Sequence, residues 1–132
     1  MKELLEVFGK KIGVETIGTK NGDLKVHFKW FDEIAGCLFN KTALVSKFVN
    51  DDKKEEEYLY RIGEIEFYYY DEENHPDIFC HIAEPQKTKG CWYIHQSGMD
   101  ITFGDGKNFG GILIRAIVKG VCHENRNVTG FV

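Results

Sequence analysis

Two carboxylates one residue apart, Glu64 and Glu66, stand inside the aromatic run YLYRIGEIEFYYY that occupies residues 58–70. Side chains alternate across a strand, so both carboxylates are expected on one face. A carboxylate there can orient a water molecule, take its proton and stabilise positive charge developing on an oxocarbenium-like centre. Glu66 is the residue expected to do so. A strand glutamate on its own is more often a solvent-facing charge, and the expectation therefore leans on its neighbours. The most telling of these is Arg115, which lies inside the apolar stretch of residues 112–118. An arginine in such a stretch needs a carboxylate or a ligand, and Glu66 or Glu64 is its natural partner, as a structural salt bridge or as part of a site.

His75, His81 and His95, with Cys80 and Cys91, are the residue types of a tetrahedral zinc site. Adjacent pairs such as Cys80-His81 and Cys122-His123 rarely serve one ion, and no spacing matches a zinc finger or knuckle, so neither a metal nor another cofactor is expected. Gly104-Asp105-Gly106 and Gly110-Gly111 do not form a phosphate loop and read as turns. Tyr68, Tyr69 and Tyr70 could stack on a planar ligand, although aromatic-rich strands more often serve packing.

The elements that must position these groups follow from periodicity. Residues 2–12 carry Leu4, Leu5, Phe8 and Ile12 at helical spacing and predict an amphipathic helix. Asn21-Gly22 signals a turn before an alternating strand over residues 24–30. Residues 31–50 fit a helix followed by a strand. The seven charges of residues 51–57 predict a solvated loop or hairpin tip. Residues 58–70 predict a long strand with a bulge or bend near Gly63. A polar excursion over residues 71–85 then leads to three short strands over residues 91–95, 100–103 and 112–119, with glycine turns between them. This is an α+β pattern: one domain over residues 1–132, mostly a curved antiparallel sheet, with an N-terminal amphipathic helix.

With 132 residues, 42% of them hydrophobic, the chain can bury one core. No apolar run reaches the ~20 residues of a bilayer span, and the opening residues lack a signal-peptide block. A soluble cytoplasmic protein with reduced cysteines and no membrane partner is expected. The net charge of −4 does not favour nucleic-acid binding. It is unevenly spread, however: residues 1–84 carry −7 and residues 85–132 carry +3, which leaves room for a locally basic face.

Four segments, taken in order, resemble the methylpurine (alkyladenine) DNA glycosylase family. They are Glu64-Ile65-Glu66-Phe67-Tyr68, then Asp71 with His75, then Gly90-Cys91-Trp92-Tyr93-Ile94-His95 followed by Gly98-Met99, and last Ile112-Leu113-Ile114-Arg115-Ala116. The resemblance is strongest over residues 61–118. It implies the family's fold and a monofunctional hydrolase of base excision repair that removes a damaged purine, such as an alkylated one, from DNA. It gives Glu66 and Arg115 catalytic places, and Tyr68, His75, Tyr93 and His95 places around the base. The family's duplex-inserting aromatic has no counterpart in Gln96-Ser97, and its pocket asparagine, whose place falls near Phe103-Gly104, is absent. A flipped purine needs flat walls and a few polar groups on its edges, which these residue types supply. The partner expected is damaged duplex or single-stranded DNA. The rival expectation is a non-catalytic relative that binds a nucleotide, a single strand or a protein partner.

Overall fold

The computed structural model describes residues 15–18, 24–27, 29–122 and 128–131. The predicted helix over residues 2–12 and the Asn21-Gly22 turn lie outside the described residues. The chain divides into two compact units, Met1–Lys41 and Thr42–Val132. Together they are α+β, with a helix in the first and a curled, five-stranded antiparallel half-barrel in the second.

In the first unit, β1 (Glu15–Gly18) pairs antiparallel with β2 (Leu24–His27). The strand ends at His27 rather than running to Trp30, because α1 (Lys29–Lys41) starts there. Trp30, Ile34, Cys37 and Leu38 are buried at helical spacing, so Trp30 belongs to the apolar stripe of the helix. Asp32 in the first turn and Lys41 in the last complement the helix dipole.

The second unit opens with a hairpin of β3 (Leu44–Val49) and β4 (Glu55–Tyr70). Its turn is closed by the Lys54 N–H donating to Asn50 Oδ1 at 2.9 Å, with Lys53 at a positive φ of 61°. Only residues 51–54 of the charged run form the tip. Glu55, Glu56 and Glu57 enter β4, since this end of the sheet is solvated and Lys47 reaches Glu57 at 3.1 Å across the hairpin.

After the 3-10 turn Glu84–Lys87 come β5 (Trp92–His95), β6 (Gly98–Thr102) and β7 (Phe109–Cys122), and the sheet runs in the order β3-β4-β7-β6-β5. A short β8 (Val128–Phe131) pairs with the far end of β7. Gly110 and Gly111 lie within β7 and are not a turn. A Cβ on Gly110 would sit 2.5 Å from the Phe103 ring, and the glycine lets that fully buried ring lie flat against the strand. Phe103 packs at 6.1 Å on Tyr69 and 6.2 Å on Phe67, making with Ile101 and Ile112 the core on this face of the sheet.

The β4–β7 ladder slips twice. Ile62 pairs with Ile117, Glu64 with Ala116, and Ile65 with Ile114, so Gly63 on β4 and Arg115 on β7 are the extra residues. The bend expected near Gly63 is present. A compensating bulge at Arg115 restores the register, and bulges of this kind re-aim a side chain.

Candidate functional site

One row of paired residues crosses four strands: Glu66 on β4 opposes Leu113 on β7, which opposes Asp100 on β6, which opposes Tyr93 on β5. Directly opposed residues share a face, and alternation adds Tyr68 to the Glu66 side and His95 to the Tyr93 side. The face is the one opposite Phe67, Tyr69 and Phe103. A pocket of about 170 Å³ opens on it, lined by Tyr68, Phe79, His81, Gln86, His95 and Arg115, with Ser97, Asp100 and Leu113 completing the wall.

At one side the Tyr68 hydroxyl donates to Glu66 Oε2, while Arg115 Nε lies 3.5 Å from Glu66 Oε1. The hydrogen bond to the carboxylate, helped by burial, pushes the Tyr68 phenol up to about 12. The Arg115 and Glu66 side chains are 45% and 41% exposed, so this ion pair contributes about 1 kcal/mol at most to stability. Its main effect is positional: both Glu66 oxygens are held by pocket residues while the carboxylate stays open to water.

At the other side Asp100, only 2% exposed, accepts from His95 Nε2 at 3.0 Å and from Gln86 Nε2 at 3.3 Å. The Ser97 N–H donates to His95 Nδ1 at 3.3 Å. With these partners Nδ1 accepts and Nε2 donates. A ring engaged at both nitrogens serves as a wall, with Tyr93 behind it at 4.9 Å between centroids. Gln86, fully buried, accepts through Oε1 from the Ala83 N–H at 3.1 Å and the Cys80 thiol at 3.8 Å. Burial pushes the Cys80 thiol up, which keeps it a donor. Gly111 makes this network possible, because a Cβ there would lie 2.5 Å from Asp100 Oδ2 and 2.8 Å from Gln86 Nε2.

Of the residues singled out in the sequence, Tyr68, His95 and Arg115 line the pocket, and Glu66 is bonded to two of them. Tyr93 backs His95. Glu64 is exposed within the slipped stretch of β4, and the partners of Glu66 are Tyr68 and Arg115. His75 stands apart from the pocket wall: its Nδ1 donates to the Tyr69 carbonyl at 2.7 Å, and it forms a backbone bridge with Asp71. Burial raises the Asp71 carboxyl, but hydrogen bonds from Asn74 and from the Glu73 and Asn74 amides outweigh it and hold the group below its ordinary value. Asp71 and His75 thus pin the start of the loop whose later residues, Phe79 and His81, reach the pocket.

Sequence reasoning missed Asp100, Gln86, Phe79 and His81 as site residues. Alternation from Gly98 would have put Asp100 on the site face, but its burial depends on Gln86, which arrives from a loop with no periodic signal. Among the described residues no three His, Cys, Asp or Glu side chains gather as ligands for one ion, and no described helix is long and apolar enough to cross a membrane. No known protein family, curated protein or solved structure matches the chain.

Proposed function

We propose that the protein is a DNA glycosylase-like hydrolase that cleaves the N-glycosidic bond of a damaged purine. The observation that supports this most directly is Glu66, a carboxylate open to water and held by Arg115 and Tyr68 beside a pocket walled by aromatic rings. The pocket, at about 170 Å³, is close to the ~150 Å³ cavity that takes a benzene ring and below the ~300 Å³ of drug-sized sites. It suits one base, which in a duplex must leave its stack to enter. Tyr68 and His95, backed by Tyr93, flank the base, and His75 acts by anchoring the loop that closes the pocket. Glu66 deprotonates the water that attacks the sugar carbon, and Arg115 keeps Glu66 aimed. Neither step calls for a cofactor, and the setting is base excision repair of alkylated DNA in the cytoplasm.

The test is purine release from an oligonucleotide carrying one alkylated purine, with protein in excess. Wild type should release the base, and Glu66→Gln should slow release by about 100-fold or more. Absence of release, or an undiminished rate in the variant, refutes the reading. A second reading, a non-catalytic binder of a nucleotide, a single strand or a protein partner, draws on the net charge of −4. It requires unhydrolysed ligand to remain bound with a shallow salt dependence.

A further inference from the structure

His81 is a pocket-lining imidazole to which the reading above gives no role. It is exposed, and among the described residues its contacts are ring contacts: His95 at 4.6 Å with the planes at 76°, and Tyr93 at 6.5 Å. Among the described residues its ring nitrogens have no hydrogen-bond partner, in contrast to those of His95 and to Nδ1 of His75, which are engaged. Its backbone is nonetheless fixed. Cys80 before it is buried and bonded to Gln86, and Ala83 two residues on donates to the same Gln86 oxygen. Between them Ile82 takes a φ of 51°, a conformation that a β-branched residue adopts only under strain. Such strain concentrates at functional sites, where surrounding contacts over-determine the backbone. The result is an exposed imidazole on the pocket wall whose backbone is held in place.

We propose that His81 is the general acid that protonates the departing base. This rests on the N-glycosidic hydrolase reading. As the bond between the sugar carbon and the purine nitrogen breaks, its electron pair goes to the base, and the His81 imidazolium delivers a proton to a ring nitrogen so that the base leaves neutral. The attacking water bonds to the sugar carbon and gives its proton to Glu66. His81 ends neutral and Glu66 protonated, and both reset through solvent. Lesion bases fall into two chemical classes under this scheme. A purine already carrying a fixed positive charge leaves as a neutral molecule without help, whereas an uncharged purine needs the proton. The titratable and charged groups that share the pocket with His81 are Tyr68 from β4, His95 from β5, Asp100 from β6 and Arg115 from β7, with Tyr93 behind His95.

The experiment measures single-turnover release of 7-methylguanine, which is cationic in DNA, and hypoxanthine, which is neutral, by wild type, His81→Gln and Glu66→Gln. His81→Gln should lower the ratio of hypoxanthine to 7-methylguanine release on the order of 100-fold. Glu66→Gln should slow both substrates alike. Because the ratio is taken within one protein preparation, partial misfolding cancels. If His81→Gln slows both substrates equally, or neither, His81 is a wall or a bystander and the acid assignment falls while the hydrolase reading stands. If wild type releases neither base, the hydrolase reading fails and the assignment with it.

Discussion

Adding a single methyl group at Gly111 should dismantle the polar floor of the pocket. The new Cβ would lie 2.5 Å from Asp100 Oδ2 and 2.8 Å from Gln86 Nε2, about an ångström inside ordinary contact distance. Neither neighbour can retreat cheaply: Asp100 is 2% and Gln86 1% exposed, and the Asp100 backbone is tied to Leu113 across β6 and β7. Overpacking costs about 1–3 kcal/mol, and losing a buried hydrogen bond to a carboxylate costs about 1.5–3 kcal/mol. The lower entropy of the unfolded chain returns about 0.4–1 kcal/mol. The net destabilisation is about 1.5–5.5 kcal/mol, a fall in Tm of roughly 5–28 °C for a chain of this size. Urea denaturation measures it, with Gly36→Ala as the control. Gly36 sits in α1 with nothing within 4 Å of an added Cβ, so that substitution should stabilise by up to about 1 kcal/mol. A Gly111→Ala protein within about 0.5 kcal/mol of wild type would refute the claim that the glycine exists to seat Asp100 and Gln86.

Other measurements bear on the same site. The Tyr68 phenol, raised to about 12 chiefly by its bond to Glu66, should show a titration well above the ordinary tyrosine range in ultraviolet difference spectra and move down in Glu66→Gln. Because the folded value exceeds the unfolded one of about 10, its stabilising effect is complete below that pH and is lost as pH rises from there towards 12. Mass-resolved alkylation should modify exposed Cys91 quickly and buried Cys80 slowly, since burial disfavours the Cys80 thiolate; equal rates would contradict the packing of Cys80 on Gln86.

Much of the second unit was legible because its elements announce themselves locally. The aromatic run of β4, the mid-run glycine and the apolar stretch around Arg115 each carry a two-residue period or an interruption of it, and they gave the long strand β4 and its bend; β7, expected as a short strand over residues 112–119, runs further at both ends, from Phe109 to Cys122. The cost of leaving an arginine unpaired in an apolar strand pointed to Glu66 or Glu64 as the partner of Arg115, and the structure pairs it with Glu66. Where the sequence misled, a distant contact had decided the outcome. Gly110 and Gly111 look like a turn, yet they are strand residues because Phe103 presses on one and Asp100 with Gln86 on the other.

Residue types and alternation by themselves determined the α+β class, the long strand β4 and a carboxylate partner for Arg115, since these depend on neighbours one or two positions away or on the cost of burying a charge. Tertiary structure alone decided that Asp100 is buried, that His95 is locked at both nitrogens while His81 is not, and that His75 anchors a loop away from the pocket wall. Those outcomes depend on the residue 71–91 segment folding back over the sheet, and the strand period of two says nothing about where a loop will land.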